Sequence, residues 1–321
     1  MVKQNLFVEA LKRRAEENTP LAEQVAELLN VSTDSAYRRL RGATLISLDE
    51  AAKLGKHFNI NLSEAIEDDS SGSVLFHTNK TYGAVSLDLY IERIAAHLEA
   101  FSKEENSRFI MAARDLPTFY YGFYPKLADF KLYFWHKSIL AETGQELEHY
   151  ENYIPRQSIK KGMAAISKLH QKLNTSELWN IEILSSTIRQ LNYYNELGYF
   201  STQESVQEIK QELLDLLLTC EKDAEQGFRI DAEGNKAPYN LYHQEYMVLD
   251  DTILAVSDSN KAVFINYNGL FYLKTLQNDF CAEIENWTNE QMKKASLISG
   301  SAEKERKLFF NQLRKQLDLI G

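Results

Sequence analysis

VAELLNVSTDSAYRRLRG, residues 25–42, is the stretch from which the N-terminal fold can be read. Val25, Ala26 and Leu29 recur at helical spacing and give one helix an apolar face, and Ala26 is small enough for another helix to cross closely. Asn30 stands where a tight turn wants a residue tolerant of positive φ, a conformation Asn adopts more readily than most. Val31 plugs the turn. Ser32 can cap a second helix running to Arg41, and Gly42 ends it. Ala36 and Leu40 face inward from this second helix. The pattern is two helices across a tight turn, the second one presented outward.

Outward from this pair the N-terminal segment continues as short capped helices. VKQNLFVEALKRRAEEN carries Leu6, Ala10 and Leu11 at helical spacing, and Thr19-Pro20 reads as a cap and first-turn proline for a helix from Leu21 to Leu29. Ser47-Leu48-Asp49-Glu50 matches a capping box and opens a fourth helix through Phe58. Asn61, followed three residues later by Glu64, starts a short fifth. The polar EDDSSGS, Glu67–Ser73, then marks a linker.

From Val74 onward helical periodicity is plain in Ser86–Phe101, Ile159–Leu173, Glu177–Leu197, Ser205–Lys222, Phe271–Ala295 and Ala302–Leu319. Tyr246–Val256 and Lys261–Tyr267 read as strands around the turn residues Ser257–Asn260. The expected fold class is therefore mainly α: a five-helix domain over 1–66, a linker over 67–73, and over 74–321 a larger, mostly helical domain with one small antiparallel β-hairpin.

Residues 21–66 resemble the Cro and lambda-repressor-like helix-turn-helix domains, the xenobiotic-response-element type. VAELLNVS (25–32) and AYRRLRG (36–42) match the two helices and turn, and SLDEAAKL (47–54) and INLSEAI (60–66) match the helices that follow. The matching positions depart from the family pattern at Ala22, where a glutamine is common, at Asn30 in place of the turn glycine, and at Arg39 in place of a bulky aromatic. The resemblance implies a DNA-binding transcriptional regulator whose partner is double-stranded DNA.

Thr33, Asp34, Tyr37, Arg38 and Arg41 fall on one stripe of the second helix opposite Ala36 and Leu40. Arginine can pair bidentately with guanine O6 and N7, and Asp34 can accept from cytosine N4. Arg39 at the edge of the stripe, with the hydroxyls of Ser32 and Thr44, suits phosphate. One such module has a small footprint, so a homodimer reading half-sites about 34 Å apart is expected.

Charge is distributed to suit this reading. The chain carries a formal −10, yet residues 1–66 hold nine Lys/Arg and nine Asp/Glu, so the whole excess of acid lies in the remainder. The same acidity, together with Ala22, favours a rival reading: an interaction module whose helix–turn–helix contacts a protein. Two distant cysteines and the lack of an apolar leader or membrane-length run point to a cytoplasmic protein with no membrane partner.

DLPTFYYGFYPKLADFKLYFWHKSIL, residues 115–140, is the most distinctive stretch of the remainder. Nine of the 17 residues from Phe119 to Trp135 are aromatic. Phe119, Tyr120, Tyr121, Phe123, Tyr124 and Trp135 can form an effector pocket or a dimer surface, or else simply a helical core. No HExxH, GxSxG, P-loop or GxGxxG motif is present. Glu146–His149, Tyr242–Glu245, Asp250-Asp251 and Ser299–Ser301 read more naturally as surface, core, hairpin and cap residues than as chemistry. The expectation is thus no enzyme, no cofactor and no metal, with an unidentified small-molecule effector as a further partner.

Overall fold

Leu11, Val25, Ala36 and Leu54 are completely or almost completely withdrawn from solvent, and around them four helices assemble. These are α1 (Val2–Arg14), α2 (Leu21–Leu29), α3 (Thr33–Leu40) and α4 (Leu48–His57). The computed structural model describes residues 2–15, 19–58, 60, 62, 73–78, 87–140, 149–246, 251–267 and 269–321. It divides into two units, Met1–Leu75 and Phe76–Gly321. Of the expected fifth helix only Leu62 is described, and all but the last residue of the expected linker lie outside the described residues. On α1 the buried face runs through Phe7, Val8 and Leu11, while Leu6 is exposed. The i, i+4 pair is therefore Phe7–Leu11, one position on from Leu6–Ala10.

The second unit is not mainly helical with a single hairpin, and the label all-α does not fit. Its described residues hold a nine-stranded mixed sheet. The strands are β1 (His77–Thr78), β2 (Arg108–Ala113), β3 (Asn174–Trp179), β4 (Phe228–Ile230), β5 (Lys236–His243), β6 (Thr252–Val256), β7 (Lys261–Asn266), β8 (Tyr272–Thr275) and β9 (Ser296–Leu297). The order is β1-β8-β7-β6-β2-β3-β5-β4, with β9 also on β5. β2, β3 and β5 are mutually parallel, whereas β6, β7 and β8 form an antiparallel meander against β2. The helices are α5 (Leu87–Ser102), α6 (Pro125–Trp135), α7 (Gln157–Gln171), α8 (Ser185–Glu196), α9 (Gln203–Gln226), α10 (Asn278–Lys294) and α11 (Glu303–Gln316).

The expected hairpin is present as β6 and β7, closed by Ser257 N–H donating to the Asn260 carbonyl at 2.9 Å. The strands beyond it were hidden for two reasons. β2 reads RFIMAA because both of its faces are covered, so it shows no alternation. β3 reads NTSELW because two of its inward residues, Thr175 and Glu177, are polar, which disguises a core strand as a helix start. The helical reading of Glu177–Leu197 thus shortens to α8, and that of Phe271–Ala295 splits into β8 and α10.

The sheet separates two apolar layers. Phe109, Met111, Trp179, Tyr239, Leu241, Ile253 and Ala255 face the large layer built with the aromatic segment and α6–α9. Ile110, Leu178, Leu254 and Val263 face a smaller layer with Cys281, Ile284 and Met292 of α10. Gly122 marks the tightest approach in the large layer: a Cβ there would lie 2.3 Å from the Met163 carbonyl oxygen. Only glycine lets the 3₁₀ turn Thr118–Phe123 rest on α7.

Candidate nucleic-acid interface

The connection between α2 and α3 is set by one residue. Asn30 adopts φ 55°, ψ 49°, and the Val31 N–H donates to the Ala26 carbonyl at 3.0 Å, closing the end of α2. Ser32 then caps α3, accepting from the Ser35 N–H at 3.2 Å. Its hydroxyl also donates to the Ser35 hydroxyl at 3.0 Å, so this oxygen is already engaged locally. Because Ala36 is fully buried and Leu40 packs beside it, the opposite stripe must face outward.

On that stripe Thr33, Asp34, Tyr37, Arg38 and Arg41 are all exposed. The Arg38 side chain is 68% exposed and only loosely paired with Asp34, at 3.8 Å. An ion pair that long and that wet contributes little, so Arg38 is released to another acceptor at small cost. Arg41 sits over the Tyr37 ring, 5.7 Å from its centroid, which stiffens both without hiding the guanidinium.

Arg39 behaves differently. Its guanidinium donates to Glu50 at 2.8 and 3.2 Å and to the Ser35 carbonyl at 3.2 Å. The pair is largely shielded, 17% and 22% exposed. Arg39 is therefore a tie between α3 and α4 instead of the expected phosphate ligand. Glu50 serves twice, because its carboxylate also accepts from the Ser47 N–H at 3.0 Å in the capping box that starts α4. Arg39 holds the Glu50 carboxyl below its ordinary pKa by hydrogen bonding, assisted by the Ser47 N–H.

Thr44 is half-buried in the loop after α3, its N–H donating to the Arg38 carbonyl at 3.1 Å. Gln4 of α1 pins this loop: its amide donates to the Arg39 and Thr44 carbonyls, both at 2.9 Å, and accepts from the Ile46 N–H at 3.2 Å. Neither Gln4 nor the Arg39–Glu50 tie was visible in the sequence, because their partners lie eleven to 42 residues away. Leu45 and Leu48 stand 71% and 80% exposed, a second feature that helical periodicity did not single out.

The aromatic segment of the second unit is mostly interior. Phe119, Tyr120, Tyr121 and Trp135 are buried and Tyr124 is half-buried, while Phe123 alone is exposed. Of the six residues that could form an effector pocket, a dimer surface or a core, four are thus withdrawn into the interior under the parallel strands, where Phe119, Tyr121 and Trp135 also line cavities. Tyr120 joins a sealed polar cluster there. Its hydroxyl lies 2.8 Å from both oxygens of Glu177. Arg229 reaches Glu177 and the Tyr120 hydroxyl at 2.5 Å each and Thr175 at 2.6 Å, and its guanidinium lies over the Tyr239 ring at 4.0 Å. Trp179 donates to Glu177 at 3.0 Å, and His170 stands 3.5 Å from it.

All of these residues are buried, and their charges settle accordingly. Burial raises the Glu177 pKa, but the Arg229 charge and the hydrogen bonds of His170 and Arg229 outweigh it and bring it to about 2. Burial, helped by the Arg229 charge, brings His170 down to about 4 against the opposing pull of Glu177. The cluster is an ion pair with a neutral histidine. Because every member is withdrawn from solvent, it serves here to join β3, β4, β5, α7 and the 3₁₀ turn.

Among the described residues, no group of three or more His, Cys, Asp or Glu side chains is placed to hold a metal ion. No helix among them is long and apolar enough to cross a membrane. Residues 146–148 and 250 lie outside the described residues. His243 lies tilted against the Phe309 ring, centroids 4.7 Å apart, and Gln244 donates to Gln291 at 2.7 Å. No family model, curated protein or solved structure matches the chain.

Proposed function

We propose that the chain is a sequence-specific DNA-binding transcriptional regulator, cytoplasmic and acting as a homodimer, that reads the major groove with α3. The observation that carries this reading is the division of labour among the arginines. Arg39 is spent on holding α3 to α4, whereas Arg38 and Arg41 stand exposed beside Asp34, Thr33 and Tyr37 on the outward stripe. Arg39 ties the last turn of α3 to α4 while its neighbour Arg38 and the C-cap Arg41 stay exposed on the outward stripe, an arrangement that suits contact with base edges. The acidic remainder of the chain repels phosphate and so favours contact through this helix alone.

The test is selection of binding sites from a random duplex library with the purified full chain at two salt concentrations, in parallel with Arg38→Ala. The reading expects a two-fold-symmetric motif whose enrichment weakens with salt and is lost in the variant. Binding without enrichment, unchanged by Arg38→Ala, would overturn it. Leu45 and Leu48 support a second reading, in which this face meets a protein: two exposed leucines near the arginine helix suit an apolar contact better than a phosphate backbone. On that reading Leu48→Ser abolishes partner capture and leaves duplex affinity untouched.

A further inference from the structure

Between α5 and the meander of the second unit lies a cavity of about 230 Å³. Its floor is explained by the strand register. Ala255 of β6 stands opposite Ala262 of β7, so the sheet face is lowered where two alanines meet. In the neighbouring row Ile253, Phe264 and Lys274 lie side by side across β6, β7 and β8 and wall the hollow on one side. Ile94, His97 and Phe101 of α5, with Phe119, close it from the other.

The walls are overwhelmingly apolar, and the polar groups at the rim are unequal. Glu104 is already satisfied, accepting from Ser259 at 3.1 Å, from Asn260 at 3.2 Å and from Ser257. Lys274 is not. Among the described residues its ammonium has no hydrogen bond and no carboxylate, only the Phe264 ring 5.6 Å away, and it is partly buried. Burial lowers its pKa, and the positive charge of Lys274 in turn helps burial to lower that of His97. A cation held against an apolar hollow, with no carboxylate beside it among the described residues, is suited to take up an anion.

We propose that this cavity binds a small monocarboxylic acid with an apolar body, its carboxylate on Lys274 and its hydrocarbon over Ala255 and Ala262. Size follows from volume: an apolar cavity of ~150 Å³ holds one benzene, so this one takes roughly nine non-hydrogen atoms, the carbon skeleton of the acid, with its two carboxylate oxygens outside the hollow at the Lys274 rim. A phenylalkanoic or medium-chain alkanoic acid fits. The site belongs to the second unit and stands whether or not α3 reads DNA.

The experiment is calorimetric titration of the full chain, near neutral pH, with phenylpropionate and with the matched neutral phenylpropanol. The acid is expected to bind saturably at one site and at least tenfold more tightly than the alcohol, as a desolvated charge pair should. Lys274→Gln should remove that tenfold preference while the alcohol binds as before, and Lys274→Arg should restore it. Ala262→Leu should abolish binding of both by filling the floor, its thermal unfolding showing that the fold is kept. No saturable binding of the acid at millimolar concentration would overturn the proposal. So would acid binding that persists undiminished in Lys274→Gln or in a folded Ala262→Leu.

Discussion

Arg38 and Arg39 are adjacent in sequence and opposite in role. Arg38 projects from α3 and Arg39 folds back onto Glu50. Replacing Arg39 with alanine should cost about 1 kcal/mol of local stability, read as faster hydrogen exchange of the amides in residues 21–57, because a shielded bidentate pair is lost. Arg38→Ala should leave that exchange unchanged within about 0.5 kcal/mol and act only on binding. Equal effects of the two variants on exchange would contradict the assignment. Deeper in the chain, Arg229→Met would strand the Glu177 charge in the core and should cost about 3–5 kcal/mol in urea unfolding. Adding Glu177→Gln to it should recover part of that loss, since the unpaired charge is removed. The charge contrast of the RRLR run was legible in the sequence. The fate of each arginine was not, because it depends on where Glu50 lands after α4 forms.

Secondary structure depends on individual positions in the first unit and on burial in the second. Asn30 is one of two described non-glycine residues with positive φ, and it alone turns α2 into α3. Asn30→Gly should hold or raise the stability of this element, whereas Asn30→Ala should lower it by about 1–2 kcal/mol, the cost of a Cβ in the left-handed region. The thermal midpoint of the first unit, followed by amide exchange, separates the two outcomes. The helices of this unit were legible because caps and turn residues act locally: Ser32, Ser47 and Asn30 each fulfil the role their type suggests. In the second unit β2 and β3 escaped detection because strand periodicity reports a difference between two faces. Where both faces are buried, or where a charged network occupies one of them, that difference disappears.

The second unit as a whole carries a pH dependence through its sealed cluster. His170 titrates near 4 in the folded state against an ordinary 6.5, so as pH falls from 6.5 to 4 the unfolded chain takes up a proton that the folded chain refuses. Stability is therefore full above about pH 6.5 and declines by roughly 3 kcal/mol by pH 4 on this account. Glu177, at about 2 against an ordinary 4.5, acts in the same direction at lower pH: its contribution is present above 4.5 and lost as pH drops toward 2. Urea unfolding midpoints should fall steadily between pH 6.5 and 4, and His170→Gln should flatten that limb and, by removing one of the groups that hold the Glu177 carboxyl down, shrink the lower one without abolishing it, since Arg229 remains. A midpoint independent of pH across this range would show that the cluster does not hold these protonation states.

The sequence by itself determined the local architecture of the first 60 residues. Capping, turn chemistry and the 3.6-residue period act between positions a few residues apart, and there the chain's own residue types decide. The charge asymmetry between the N-terminal segment and the remainder was equally plain, because it is a sum over residues. Only the tertiary structure decided that the remainder is built on a mixed nine-stranded sheet and that the aromatic run is core. It also decided that Arg39 is a tie and that Lys274 faces an apolar hollow. Each of these rests on pairs separated by 11 to more than 150 residues, and the free energy of such pairs comes from burial against a partner that local sequence does not name.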